Sequence, residues 1–546
     1  MTDTSARPPE FLPKLFTVLR EGYGWDDLRA DVLAGLTVAI VALPLSMAIA
    51  IASGVGPERG LYTTIIGGFL VSALGGSRFQ IGGPAGAFIV LVASCVMATG
   101  VEGLILATFL SGFMLIAVGV LRLGTYIKFI PYPVTVGFTA GIAVIIFTSQ
   151  IKDLFGLTLS GPEPGEIVAK VEALWSVRGT VTWAALAVAL ATIALVVGVK
   201  RLRPGWPNML IAVVVVSGLV VGLGLPVATI GTKFGALPRL PPAPALPVLT
   251  AEAIWAALPF AVSFTLLGAI ESLLSAVVAD GMSGRQHRSN AELVAQGAAN
   301  IGSALFGGFC VTGTIARTAT NVRAGSRGPV SGMLHALFVL GFMLLAAPLA
   351  AYIPLAALGG VLAVVAWNMA EKEEFWALVR SSKGDAMVVL VTFLLVVFRD
   401  LTEGIIVGFA LGGLVFIRRM SDAAQVEPGE ADAFPPDVAA DQNRVTYRLR
   451  GPYFFGAAAR LGSVLDRIAD HPRAFVVDFS DVPFIDSTGA RSFELLAHKV
   501  ARKGGQLYLM GVRPDVRQSL LAQGATEPLV RFVSDARAVD SAEALR

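Results

Sequence analysis

The chain has 546 residues, of which 55% are hydrophobic and only 15% charged, with a formal net charge of +3. A soluble protein of this length carries a charge at roughly a quarter of its positions, so this composition excludes an ordinary soluble protein. The near-neutral balance gives no reason to expect nucleic acid as a partner. The two cysteines, Cys95 and Cys310, stand in apolar segments without metal-ligand spacing, so neither a metal site nor a disulfide framework is predicted.

Long apolar runs occupy residues 31–420, which predicts a multi-pass, all-α transmembrane transport domain. Residues 1–30 form a short N-terminal segment without the pattern of a cleavable signal peptide. We predict up to fourteen spans, centred on 33–52, 59–75, 83–99, 103–121, 130–149, 181–199, 208–224, 254–279, 291–307, 313–323, 329–350, 355–369, 385–399 and 402–417.

Loop charges set the orientation. With fourteen spans and a cytoplasmic N-terminus, the predicted inner loops carry roughly twice as many Lys and Arg residues as the outer loops. An even number of spans places both termini on the same side. We therefore expect a multi-pass protein of the cell membrane with both termini in the cytoplasm.

Two segments resemble each other, Phe79–Ala87 and Phe309–Arg317. Each begins with β-prone residues and passes through glycine into small residues that could start a helix. They occupy the third and tenth spans, as two inverted repeats of seven spans with broken helices would require. Facing helix starts present N–H groups and positive dipole ends, which attract anions. The alternative is that both are glycine-rich packing segments or re-entrant turns.

The two helix starts supply most of the predicted binding residues. Small residues allow backbone N–H groups to approach an anion, and threonine can add hydroxyl donors. Pro84 suits the first turn of one helix, and Thr312 or Thr314 could cap the other. The predicted substrate-binding residues are Gly83, Pro84, Ala85, Gly86, Ala87, Thr312, Gly313, Thr314, Ala316 and Arg317.

Two charged side chains within the apolar runs are the strongest functional candidates. Glu271 lies in the middle of the eighth span, where a carboxylate is costly and by default functional, so we predict that it binds the coupling ion by loading and unloading a proton. Arg317 is the positive group expected to coordinate an anion or set the field around it. Alternatively, Glu271 is structural, and Arg317 pairs with it or marks the cytoplasmic end of its segment.

The C-terminal part has the composition of a soluble protein. Residues 421–442 are rich in Ala, Pro, Asp and Glu and are predicted to be a linker. Residues 443–546 alternate strands and helices, which indicates a small α/β domain. The predicted elements are strands at 445–449, 474–479 and 506–512 and helices at 489–503 and 514–523.

Several motifs resemble the sulfate permease family of anion transporters: the first span from Asp31 to Pro44, Gly82–Pro84, Ala291–Asn300 and Gly307–Asn321. Asp486-Ser-Thr-Gly489 resembles the signature of the STAS domain, which this family carries.

The resemblance implies seven-plus-seven inverted repeats split into core and gate domains, substrate binding between half-helices 3 and 10, elevator-type movement, and commonly a homodimer. It implies that the acidic residue at position 271 lies beside the substrate site, where members of the family that have aspartate can hold sodium. It also implies that position 317 matches a basic residue at the site in the prestin-like members. Leu45 departs from the glutamine of those members. The serine matching Ser487 is phosphorylated in some STAS proteins. Here the alternative is that Ser487 or Thr488 caps a helix, and we favour the cap.

The sequence therefore predicts a proton-coupled symporter for sulfate, bicarbonate or a dicarboxylate, without enzymatic activity or a cofactor. No phosphate-binding loop suggests ATP-driven transport. Alternatives are an uncoupled channel or exchanger, a sodium-coupled bicarbonate symporter, a membrane-anchored signalling protein, and a nucleobase permease.

Overall fold

The computed structural model describes residues 10–127, 130–161, 163–399, 401–423, 425–428, 444–455, 473–534 and 538. The chain divides into two compact units, Met1–Phe409 and Ala410–Arg546. The first consists almost entirely of helices: α1 Lys14–Arg20, α2 Trp25–Ala52, α3 Pro57–Tyr62, α4 Gly68–Leu74, α5 Ile89–Val120, α6 Gly124–Ile127, α7 Tyr132–Phe155, α8 Ile167–Ser176, α9 Trp183–Leu202, α10 Asn208–Leu223, α11 Ile230–Phe234, α12 Ala251–Ser283, α13 Ser289–Leu305, α14 Ile315–Arg323, α15 Val330–Ala350, α16 Leu355–Met369, α17 Lys372–Ser381 and α18 Lys383–Phe398.

Each of the fourteen predicted spans falls on a helix or on part of one. Helix α19, Leu401–Ala423, carries the last. Among the described residues, eight helices are long and apolar enough to cross a membrane. Others are short or broken, as the predicted discontinuous spans require. Gly100, at φ +72°, divides α5 into the third and fourth spans, and a π-helical turn, Thr63–Gly67, joins α3 to α4.

The helices of the first unit form two sets that pack mainly within themselves. The first set comprises α2–α5 and α12–α15, where α5 lies against α12 and α13, and α2 against α15. In the second set α16 and α18 lie against α7, and α9 against α10 and α16. Glycines allow the closest approach, because a Cβ on Gly297 would lie 2.4 Å from the carbonyl oxygen of Gly112. This is the predicted division into core and gate.

The two resembling segments meet inside the first set. Strand β1, Gly82–Gly83, pairs antiparallel with β2, Thr312–Gly313, with Gly82 opposite Gly313. The Thr314 amide also donates to the carbonyl oxygen of Ile81 at 2.9 Å. A short 3₁₀ helix, Gly86–Phe88, leads from β1 into α5, and α14 follows β2. The antiparallel register gives the local two-fold relation expected of inverted repeats.

The second unit contains a five-stranded sheet in the order β3-β4-β5-β6-β7. Its elements are β3 Gln425–Pro428, β4 Arg444–Arg450, β5 Ala474–Asp481, α20 Ser487–Arg502, β6 Gln506–Met510, α21 Pro514–Ala522 and β7 Val530–Val533. Among the described strands, β3 and β4 pair antiparallel, and the other neighbouring strands pair parallel. The sequence prediction missed β7, and it also missed β3, which lies within the stretch predicted to be a linker.

Candidate functional site

A cavity of about 300 Å³ lies where the two helix starts face the second set of helices. Among the predicted site residues, those lining it are Pro84, Ala85, Gly86, Ala87, Glu271, Thr314, Ala316 and Arg317. Gly83, Thr312 and Gly313 belong to the strand pair and are not part of the lining. The opposite wall comes from α7, α10 and α16 and includes Thr139, Ile146, Met209 and Leu362.

The first helix start differs from the prediction at Pro84. Ala85, in extended conformation, is the residue before the 3₁₀ helix, so Pro84 precedes the first turn instead of occupying it. Its carbonyl oxygen accepts a long hydrogen bond, 3.5 Å, from Nη2 of Arg317. The proline therefore contributes a backbone acceptor next to the cavity.

The second helix start has Thr314 at its N-cap position, but the Thr314 side chain does not cap the helix. Its hydroxyl instead donates to the carbonyl oxygen of Ile81 at 3.2 Å, and the Thr312 hydroxyl donates to that of Gly268 at 3.2 Å. The expected threonine cap is therefore wrong, and in this structure both hydroxyl protons point to backbone carbonyls instead of the cavity.

Arg317 is buried, with 1% of its surface exposed. Nη2 donates to the Ser46 hydroxyl at 3.1 Å, whereas Nε and Nη1 have no hydrogen-bond partner within the described residues. A guanidinium has five N–H donors and no acceptor, and a buried donor without a partner is costly. An anion that reached this guanidinium would satisfy these donors.

Glu271 lies on α12 and lines the same cavity, with 6% of its surface exposed. In the part of the chain that the structure describes, its carboxylate makes no hydrogen bond and no ion pair. The alternative in which Arg317 pairs with Glu271 is therefore not seen in this structure. Leu45 also lines the cavity, so the position at which this chain has leucine and the prestin-like members have glutamine is part of the site.

A network of buried polar side chains on α13 and α14 binds the segment that leads into strand β1. Glu292, on α13, accepts hydrogen bonds from the Ser77 amide at 2.9 Å, from Gln80 Nε2 at 2.9 Å and from Gln296 Nε2 at 3.1 Å. Asn321 Nδ2 donates to the carbonyl oxygen of Phe79 at 2.9 Å. Asn321 therefore ties α14 to the segment before β1, whereas Gln296 supports Glu292 within α13, and neither residue lines the cavity.

Some functional candidates were missed from sequence. Ser46 and Glu292 look like ordinary polar residues there, although a glutamate inside the ninth span is a signal that could have been used. Asn368, in the last turn of α16, and Glu371, just before α17, also line the cavity, and no sequence motif marks them. His287, for which the sequence indicated no partner, contacts Asp280 through Nδ1 at 2.6 Å.

Ser487 is the first residue of α20, and its side chain is exposed. The residue that caps this helix is Asp486, whose Oδ1 accepts from the Gly489 amide at 2.7 Å. The prediction that Ser487 or Thr488 forms the cap is therefore wrong. Aspartate is among the preferred N-cap residues, and its charge also suits the positive helix end.

The fold and the cavity define a multi-pass helical membrane protein with a C-terminal sheet domain. The Sulfate permease family profile matches residues 28–392, and the STAS domain profile matches residues 435–535. The chain belongs to the sulfate permease family, a family of anion transporters, and carries its STAS domain.

Relatives and solved structures agree with this assignment. YvdB of Bacillus subtilis (strain 168), which carries a sulfate-transporter name, is 39% identical over 92% of this chain and 95% of its own. The bicarbonate transporter BicA of Synechocystis is 30% identical over 95% of this chain and 94% of its own. The murine Slc26a9 anion transporter, in its inward-facing structure, has the same fold, with a TM-score of 0.84 at 21% identity, covering 100% of this chain and 96% of that one.

Proposed function

We propose that this chain moves small oxyanions across the cell membrane by secondary active transport, as a proton-coupled symporter. The observation that carries the proposal is Arg317, a buried guanidinium that lines the cavity and has two nitrogens without a partner among the described residues. Fixed N–H donors and a positive charge in a site shielded from water favour an anion strongly.

The substrate class comes from the cavity and from the relatives together. About 300 Å³ is enough for sulfate, bicarbonate or a small dicarboxylate, all of which present charged oxygens. The names of YvdB and BicA point to sulfate and bicarbonate. A nucleobase permease is the weaker proposal, because a neutral base does not need the charge of Arg317.

Glu271 is the proposed coupling residue. A carboxylate without a partner in this cavity is the group best placed to exchange a proton with each cycle. Protonation would remove the negative charge that opposes an incoming anion, so proton and anion would bind together. The second candidate is sodium-coupled bicarbonate symport, for which the similarity to BicA supports bicarbonate as the substrate. An uncoupled channel or exchanger is the third and would leave Glu271 structural.

Several features of the whole protein belong to the same proposal. The two sets of helices would move relative to each other as an elevator, in a homodimer with both termini and the STAS domain in the cytoplasm. The exposed Ser487 hydroxyl, at the positive end of α20, is the proposed site of regulatory phosphorylation.

The test is uptake of labelled sulfate, bicarbonate and fumarate by the purified chain in proteoliposomes, with and without an inward proton gradient and without sodium. Accumulation of one anion above equilibrium under the proton gradient alone is the expected result. Accumulation only after sodium is added would show that sodium, and not the proton, is the coupling ion. Equilibration without accumulation under either gradient would favour the channel or exchanger.

Glu271→Gln tests the coupling role within the same assay. Because glutamine keeps the shape but cannot carry the proton, we expect it to abolish proton-driven accumulation. Glu252→Gln, at an exposed position in the first turn of the same helix, is the matched control and should accumulate normally. Unchanged proton-driven accumulation by Glu271→Gln would show that this carboxylate does not carry the proton.

A further inference from the structure

Two apolar grooves lie side by side on the first unit, and the first of them adjoins the cavity lined by Glu271 and Arg317. One, of about 600 Å³, runs between α9 and α16, and the other, of about 570 Å³, is bounded by α7, α16, α17 and α18. They share Phe147 and Trp367. Trp367 is 65% exposed, although it lies on a helix that packs into the bundle. Tryptophan is enriched where membrane proteins meet the interface of the bilayer.

Three basic side chains line these grooves. Lys200 and Arg201, in the last turn of α9, line the first groove. Lys372 lines the second, with Nζ 3.6 Å from the centroid of the Trp367 ring. Within the described residues none of the three forms an ion pair within 4.0 Å, even though Glu373 and Glu374 follow Lys372 along α17. The grooves therefore combine an apolar lining with positive charge that is not neutralised.

We propose that the paired grooves bind one anionic phospholipid of the bilayer. Its phosphate would lie among Lys200, Arg201 and Lys372, and an acyl chain would follow the apolar lining past Phe147 and Trp367. Basic pockets between transmembrane helices are suited to acidic head groups, and each basic residue near the surface adds attraction. A neutral lipid would fill the grooves without using this charge.

A lipid bound in the grooves would lie close enough to influence the cavity lined by Glu271 and Arg317. Asn368, next to Trp367 in the last turn of α16, lines both the first groove and the cavity of about 300 Å³. A lipid held against Trp367 would therefore restrain the helix end that forms one wall of the cavity. The binding proposal itself needs only the membrane-embedded fold, so it can fail or succeed independently of the proposed transport activity.

Native mass spectrometry of the full-length, detergent-purified protein tests lipid binding directly. The probes are phosphatidylglycerol and phosphatidylcholine with identical acyl chains. We expect the native protein to retain phosphatidylglycerol and the K200Q/R201Q variant to hold it about tenfold more weakly. The R178Q/R239Q variant removes the same charge elsewhere, and Arg178 also lies over an exposed tryptophan, Trp175, so this control should bind like the native protein.

Three results would overturn the proposal. Equal retention of the two lipids by the native protein would show that the grooves do not select charge, whatever the variants do. Unchanged phosphatidylglycerol binding by K200Q/R201Q would show that Lys200 and Arg201 do not contribute to the lipid site. Displacement of the lipid by millimolar glycerol 3-phosphate would show that the basic residues bind a free anion and not a lipid.

Discussion

Burial of the Arg317 guanidinium is energetically unfavourable, and the surrounding residues supply only some of the hydrogen bonds that it can make. Of its three side-chain nitrogens, only Nη2 has hydrogen-bond partners among the described residues, namely the Ser46 hydroxyl and the carbonyl oxygen of Pro84. Nη1 lies next to Gly83, and Arg317 is part of the cavity lining. A buried guanidinium with donors that lack protein partners is suited to bind an anion, because the anion supplies those partners.

Gly83 is necessary because Arg317 lies directly over it. A Cβ at position 83 would lie 2.3 Å from Nη1 of Arg317, closer than any stable contact. We therefore expect Gly83→Ala to displace the guanidinium and to reduce anion uptake about tenfold or more, the cost of one charged hydrogen bond. Gly281→Ala, where the added methyl meets open space, is the control and should retain native uptake. Native uptake by Gly83→Ala would mean that Arg317 need not occupy this position.

The residues that sequence could find are those that break an apolar pattern. Glu271 and Arg317 stand out as charges within spans, and both line the cavity. Ser46 and Asn368 come from helices far apart in the chain, and nothing in their local sequence records that they face one site. The failed threonine cap has a related cause: the Ile81 carbonyl that accepts from Thr314 comes from a segment more than two hundred residues away.

At the scale of elements, the two-residue strands β1 and β2 hold the helix starts in place. Asn300 fixes β2 from α13, donating to the Val311 carbonyl at 2.8 Å and accepting from the Val311 amide at 3.1 Å. One side chain thus replaces a missing neighbouring strand. This satisfies two buried backbone groups that would otherwise have no partner.

Asn300→Leu should destabilise the protein, because leucine has a similar size but leaves both backbone groups of Val311 unpaired. We expect a loss of about 2–4 kcal/mol, measured as a lower unfolding temperature of the purified protein in detergent. Asn208→Leu, which removes a half-buried bond to the Val196 carbonyl, serves as the control and should lower that temperature much less. Equal losses for the two variants would contradict the role of Asn300 as a clamp.

The capping of α20 gives a second test at this scale. Asp486 accepts from the Gly489 amide through Oδ1 and from the Phe455 amide through Oδ2. Asp486→Ala should destabilise this helix start by about 1 kcal/mol, so hydrogen exchange of the 487–502 peptide in the full-length chain should speed up several-fold. Ser487→Ala is the matched control and should exchange at the native rate. Faster exchange in Ser487→Ala alone would show that Ser487, and not Asp486, caps the helix.

Element prediction succeeded where one physical signal dominates. Runs of about twenty apolar residues identified the long helices, because length and hydropathy suffice for a span. The four-residue strands β3 and β7 were missed, because such short segments acquire their structure by pairing with neighbours. The start of α20 was placed two residues late, because the cap was assigned to Ser487 or Thr488 and not to Asp486.

At the scale of the whole molecule, the cavity lies between two sets of helices. Glu271, Thr314 and Arg317 come from the first set, whereas Ile146 and Leu362 come from the second. A site at such a boundary can change its access when one set moves relative to the other, which suits the proposed elevator. The sequence predicted this division only through the family resemblance, because helix packing is not encoded in local hydropathy.

The most direct test of this account is anion uptake into proteoliposomes by the native chain, Arg317→Gln and Arg323→Gln. Both variants remove one positive charge from α14, but Arg323 is exposed at the end of that helix. We expect Arg317→Gln to lose uptake of the transported anion and Arg323→Gln to retain it. Native uptake by Arg317→Gln in a correctly folded protein would contradict the assignment of this cavity as the anion site.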